Sequence, residues 1–195
     1  MAVKRRAEMM EENRLKLIAA ARKAFAEKGF AASSMDELTA SAGLTRGALY
    51  HNFGDKRGLL AAVVAQLDGE MAQRANAIAN KDEEGWERFV AAGIAYIRMA
   101  LDPEVQRIVL LDGPAFLGDP SSWPSQNACL EETRRAVAEM IGKGILKPVD
   151  VEAAARLLNG AALNAALWVA AADDPDERLP KATETFVLMA EGLRL

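Results

Sequence analysis

Apolar residues recur every three to four positions along most of the chain, with no convincing alternation of period two, so the pattern predicts helices throughout. A first helix is expected over about 8–28, carrying Leu15, Ile18, Arg22 and Phe25 at helical spacing and stopping at Gly29, with Phe30 folding back onto Phe25. Ser34-Met35-Asp36-Glu37 reads as a capping box that opens a short helix to about Ala42, which Gly43 ends. Thr45 is the next N-cap, with Leu44 and Leu49 in staple register, and predicts a helix over about 46–53 that closes at Gly54. From Asp55 a longer helix is expected towards Ala79, with Leu59, Leu60, Val63, Val64 and Leu67 on its apolar side.

Further helices are predicted at about 84–101, 104–111, 127–145, 150–172 and 177–193. The intervening LDGPAFLGDPSSWPSQN holds three prolines and two glycines and is expected to be irregular. The fold class is therefore all-α, with about nine helices: an N-terminal three-helix helix-turn-helix domain over 1–57 and a larger C-terminal helical domain over 58–195. A composition 51% hydrophobic but only 6% aromatic agrees with helix packed on helix.

Charge divides the chain in two. Residues 1–57 hold 11 Lys/Arg against 7 Asp/Glu, net +4, whereas the rest is net −8. A small domain that meets an anion and an acidic body that does not is the natural reading. Cys129 is the single cysteine, which points to a reducing compartment. The charged start lacks the apolar core of a secretory signal, and the segment 157–172 is too short and too interrupted to span a bilayer. A cytoplasmic protein without a membrane partner is expected. No nucleophile–base pair, metal-ligand cluster (metal: none) or phosphate-cradling glycine loop stands out, so neither an enzyme nor a cofactor is expected.

The short helices 34–42 and 45–53, joined by a glycine turn, have the spacing of a helix-turn-helix whose second helix enters a DNA major groove. Leu49 and Phe53 then pack inward while Gly47 and His51 face outward, flanked by Tyr50 and Ala48. Arg46 has the reach for a guanine edge or a phosphate, Gly47 lets the backbone come close, and Tyr50, Ser33, Thr45 and Lys56 offer donors to phosphates.

Residues 21–63, ARKAFAEKGFAASSMDELTASAGLTRGALYHNFGDKRGLLAAV, resemble the DNA-binding domain of the TetR family of bacterial transcriptional regulators, and VLLDGPAFLG is similar to a segment of a subset of them. The resemblance implies a homodimer that binds a palindromic double-stranded DNA operator, commonly near its own gene, and releases it when a small molecule enters the C-terminal domain. It places Thr45, Arg46, Gly47, Ala48, Tyr50, His51 and Asn52 towards the groove, and Ser33, Ser34 and Lys56 near phosphates. The alternative is a ligand-independent DNA-binding regulator or architectural protein.

For the body, Leu157, Gly160, Asn164, Leu167 and Ala171 form a small-residue stripe which, with Phe186, Val187, Ala190 and Leu193 of the last helix, is expected to make a four-helix dimer interface. Trp86, Phe89, Tyr96, Met99, Phe116, Trp123, Asn159 and Leu163 are the candidates for an apolar effector pocket, with 112–124 as its mobile wall.

Overall fold

The computed structural model describes residues 2–79 and 85–195, with side chains from residue 7 onward. The expected start of one helix at residue 84 lies outside the described residues. Ten α-helices follow in chain order: α1 (Ala2–Lys28), α2 (Met35–Ser41), α3 (Arg46–Phe53), α4 (Lys56–Ile78), α5 (Gly85–Arg98), α6 (Pro103–Val105), α7 (Gly113–Leu117), α8 (Pro124–Gly142), α9 (Val151–Ala170) and α10 (Pro175–Glu191). A π-helical stretch, Gln106–Asp112, joins α6 to α7. Taken as one continuous run, 103–117 brings the helical segments among the described residues to nine. One isolated bridge, Leu146 with Arg194, is the extent of β pairing there.

The N-terminal boundaries follow from local chemistry. Gly29, Gly43 and Gly54 take positive φ values of 81°, 66° and 77°, which side-chain-bearing residues adopt at a cost. Asp55 caps α4 by accepting from Gly58 N at 2.7 Å. Phe30 meets Phe25 edge-on at 5.5 Å, as the turn after α1 requires.

The stretch expected to be irregular is largely helical. Pro103, Pro120, Pro124 and Pro175 each open a helix or 3₁₀ turn at its first positions. There the missing N–H has no helical partner to lose and the fixed φ suits a helix. The prolines therefore punctuate helices rather than forbid them.

One core runs from the small domain into the body, through Leu17, Phe25, Leu38, Leu49, Leu59 and Leu60 to Ile97 and Ile108. Each such side chain, fully withdrawn from water, stabilises by about 1.5–3 kcal/mol. A second cluster joins Trp86 and Val90 of α5 to Val137 and Met140 of α8, Leu158 of α9 and Ala190 of α10. Gly93 lets α5 and α10 approach closely, since a Cβ there would stand 2.7 Å from the Phe186 ring. No described helix is long and apolar enough to cross a membrane.

The π-helix and α7 form the junction between the small domain and the body. The Phe30 backbone N–H donates to Asp112 Oδ2 at 2.7 Å, and the Phe30 and Phe116 rings lie 4.5 Å apart. Arg107 reaches the Lys28 carbonyl at 3.4 Å and pairs with Asp112 at 3.7 Å. Arg22 of α1 grips both oxygens of Glu104 at 2.7 Å and Glu70 of α4 at 2.8 Å. A π-turn at this position widens one helical turn and thereby re-aims the side chains that follow it.

Candidate nucleic-acid interface and the cavity behind it

α2 and α3 are fixed by their own ends. Ser34 Oγ accepts from Glu37 N at 3.1 Å and Ser34 N donates to Glu37 Oε2 at 3.4 Å, completing the expected capping box. Thr45 Oγ1 accepts from Ala48 N at 3.3 Å, and Leu49, fully buried, anchors α3 to the core. Arg46, Gly47, Tyr50 and His51 lie exposed on the outer side of α3, and Ala48 is half-buried beside them. The position Cβ would take on Gly47 is open, with Thr45 Oγ1 the nearest atom at 3.6 Å. The backbone of α3 is therefore approachable from outside.

Besides the N-caps Ser34 and Thr45, four of the expected contact residues are engaged within the domain. Ser33 is buried and donates its hydroxyl to the Gly29 carbonyl at 2.9 Å, so its hydroxyl is turned away from any phosphate. Lys56 directs its ammonium inward, donating at 2.8 Å to both Phe30 O and Ser33 O, 4.3 Å above the Phe30 ring. These carbonyls lie in the turn after α1, where Phe30 O also accepts from Ser33 N at 3.3 Å, and the cation ties them together. Asn52 donates its side-chain amide to the Ala48 carbonyl at 2.8 Å, which holds it along the helix. Arg46 forms a two-pronged ion pair with Asp36 of α2 at the surface, and the guanidinium holds the Asp36 carboxyl below its usual range.

Behind this domain a cavity of about 290 Å³ opens between α4, α5, α8, α9 and α10. Phe89, Gly93, Tyr96, Leu158 and Phe186 supply much of its apolar wall, and Asn159 a polar point. Of the expected pocket residues, Phe89, Tyr96 and Asn159 line it and the others do not. Trp86 is core, donating Nε1 to Glu191 Oε1 at 2.7 Å. Met99 is buried in the core, and Leu163 lies one turn beyond Asn159 off the wall. Phe116 packs on Phe30 at the junction. Trp123 lines a separate hollow with Leu117 and Val64. The expected mobile wall, 112–124, supplies no lining residue to the main cavity and instead packs at the junction and beside that hollow. Helical periodicity distinguishes the two sides of a helix but not a wall from a core.

Gln126, Cys129 and Thr133 on the cavity wall, and Asp68 behind it, lie on positions that sequence patterning does not mark. Asp68, on the buried side of α4, accepts from Gln126 Nε2 at 3.0 and 2.9 Å. Burial holds its carboxyl above the usual range, against hydrogen bonds from Ser125 and Gln126. Burial and the nearby Asp68 likewise push the Cys129 thiol up to about 11, which keeps it neutral and unreactive. Thr133 Oγ1 donates to Asn159 Oδ1 at 2.8 Å. An aspartate on an otherwise apolar helical face was the available signal.

The apolar face on α9 is present but its partner on α10 is displaced. Leu157 is 74% exposed and Trp168 47%, with Gly160, Asn164 and Ala171 also exposed and Leu167 half-buried. Phe186 and Ala190 are buried within the chain, and Val187 and Leu193 are half-buried. On α10 the exposed large apolar residues are Leu188, at 75%, and Met189. A helix with apolar residues on two sides does not reveal from spacing which side the chain itself covers.

Family models match both parts of the chain: "Bacterial regulatory proteins, tetR family" over residues 17–63 and "Tetracyclin repressor-like, C-terminal domain" over residues 86–193. A solved TetR-family transcriptional regulator from Pectobacterium atrosepticum is 47% identical, with a TM-score of 0.87, over 96% of this chain and 97% of that one. The transposon Tn10 TetC protein of Escherichia coli is 28% identical over 153 residues, 74% of this chain and 73% of its own length. The HTH-type transcriptional regulator TtgR of Pseudomonas putida is 35% identical over 81 residues, 42% of this chain and 39% of its own. With an all-helical body behind a capped helix-turn-helix and both family models matched, the chain belongs to the TetR family of bacterial DNA-binding transcriptional regulators, which are not enzymes.

Proposed function

We propose that this regulator is a cytoplasmic homodimeric repressor that binds a palindromic operator through α3 and is released when a small, largely apolar molecule enters the cavity between α4, α5, α8, α9 and α10. The observation that carries the ligand response is the cavity itself, walled by the same α4 that begins at the helix-turn-helix. A ligand that favours one tilt of this helix by about 1–3 kcal/mol changes operator affinity roughly 5- to 150-fold. On this reading Arg46, Gly47, Tyr50 and His51 meet the groove, and Ser34 and Thr45, exposed at the two N-caps, lie nearest the phosphates.

Two copies are needed because one short recognition helix covers too few base pairs, and a two-fold dimer presents two of them roughly 34–36 Å apart or a multiple of this. The residues supporting the dimer are Leu157, Gly160, Asn164 and Trp168 of α9 with Leu188 and Met189 of α10, each exposed on the folded chain. A stable pair of copies covers about 800 Å² on each.

The test is a mobility-shift assay on DNA flanking the gene, repeated with a metabolite panel, beside sedimentation of the protein and of Leu157→Glu/Leu188→Glu. The expected results are a specific shift abolished by a member of the panel, a dimer for the parent and a monomer for the variant. A shift indifferent to every compound favours the ligand-independent reading, and a monomeric parent, also on DNA, rejects the dimer.

A further inference from the structure

The cavity's inner end carries a hydrogen-bond arrangement more specific than its apolar walls. Tyr96 lines the cavity, and its hydroxyl is buried and without a hydrogen-bond partner. Gln126 lies beside that hydroxyl, but no bond of good geometry closes between them. The reason is on the other side: Gln126 Nε2 is held at 3.0 and 2.9 Å by the two oxygens of the buried Asp68. A carboxylate only accepts, so it fixes the glutamine with its nitrogen towards Asp68 and its carbonyl oxygen away. The cavity wall therefore holds a phenolic hydroxyl that needs a partner, beside an amide whose nitrogen is already held by Asp68 and whose oxygen is left to accept.

The electrostatics narrow the choice. Burial and the Asp68 charge hold the Tyr96 hydroxyl well above its usual range, so it remains a proton donor. Cys129, on the same wall, is a neutral thiol. Arg88 is the one basic side chain among the described lining residues, and it lies eight residues before Tyr96, roughly 12 Å along α5. An incoming carboxylate would meet the Asp68 charge at the inner end with no cation to offset it. An ammonium has no lone pair with which to accept from Tyr96, so even with Glu132 on the wall it would leave that hydroxyl's proton unpaired. A hydroxyl is the smallest group that both accepts from Tyr96 and donates to the Gln126 oxygen. A cavity of about 290 Å³ is about twice the volume of an engineered one that holds benzene, which leaves room beside the hydroxyl for one or two rings or their aliphatic equivalent.

We infer that the effector is a neutral, compact, mainly apolar molecule bearing a hydroxyl, which bridges Tyr96 and Gln126, with Asp68 as the positioning residue that sets the amide. This rests on reading the cavity as the effector site. Four probes of one shape separate the chemistries: 2-naphthol, 2-methoxynaphthalene, 2-naphthoate and 2-naphthylmethylammonium, titrated against the full-length protein by fluorescence and calorimetry. The naphthol is expected to bind at least about tenfold tighter than the other three, the loss on leaving one buried polar group unpaired. Tyr96→Phe and Asp68→Asn should each reduce the preference for naphthol over its methyl ether to about threefold or less, while melting no lower than the parent.

Equal binding of the ether, tighter binding of either ion, no binding of any probe, or a preference that survives both substitutions overturns the inference. A mobility-shift arm separates this from the wider reading. If naphthol binds with the stated preference but no compound alters operator binding, the hydroxyl site stands and the effector role fails. If other metabolites release the operator while the naphthol preference is absent, the effector role stands and the hydroxyl site fails.

Discussion

The Phe30 backbone amide donates to the Asp112 carboxylate at 2.7 Å, which ties the turn after α1 directly to the π-helix of the body. Asp112→Ala removes this charge-assisted bond and leaves Arg107 without that partner. The expected loss is about 1.5–3 kcal/mol of stability, which for a chain of this size lowers Tm by roughly 3–12 °C in thermal unfolding. Operator affinity without effector should change less than the effector's power to reduce it, because the bond joins the two parts rather than either surface. A full effector response in Asp112→Ala would show that the tie carries no signal.

On the proposed contact, Arg46 has to leave Asp36 in order to reach a base edge. Exposed ion pairs contribute at most about 1 kcal/mol, and a guanidinium set on a guanine edge contributes about 1–3 kcal/mol of discrimination. Arg46→Ala should accordingly lose about that much on the operator and relax preference at one position in each half-site. Asp36→Ala frees the guanidinium and removes a negative charge near the phosphates, so it should tighten binding to random DNA more than to the operator. Equal losses on operator and random DNA for Arg46→Ala would place the residue on a phosphate instead.

Lys56 is expected to act through stability rather than through counterion release. Its ammonium holds the Phe30 and Ser33 carbonyls, and hydrogen bonds to a charged group contribute about 1.5–3 kcal/mol in total when one partner is lost. Lys56→Met should lower Tm while leaving the slope of log affinity against log salt unchanged. A slope flattened by about one unit per subunit would mean that Lys56 does neutralise a phosphate.

Asp68 gives a pH signature of definite sign. Its carboxyl is held above the usual range in the folded chain by burial, so the folded state binds the proton more tightly than the unfolded one. The stability it contributes is present at low pH and is lost as pH rises through the ordinary carboxylate range and beyond. Asp68→Asn should therefore melt higher than the parent near about pH 8, and the gap should narrow towards about pH 4. Groups held below their usual range, such as Glu70 beside Arg22, lose stability in the opposite direction but are common to both proteins and cancel in the difference. A gap that widens on acidification would contradict the assignment.

Sequence alone determined what local chemistry controls. Capping residues and positive-φ glycines set α2, α3 and the start of α4, and the continuous apolar side of α4 set its length, because each depends on neighbours within a few positions. The exposed set on α3 was legible for the same reason: Leu49 fixes the inward side and Arg46, Gly47, Tyr50 and His51 follow outward at 100° per residue. Tertiary structure decided what depends on groups distant in the chain. Lys56 faces inward because the Phe30 carbonyl, 26 residues earlier, accepts from its ammonium. Phe186 became core because Gly93 of α5 leaves room for its ring, while Leu188, two positions on, stays at the surface. Trp86 is core rather than wall because Glu191, 105 residues later, meets its indole. The junction tie and the polar end of the cavity likewise join residues more than fifty positions apart, and no period along a helix encodes such a meeting.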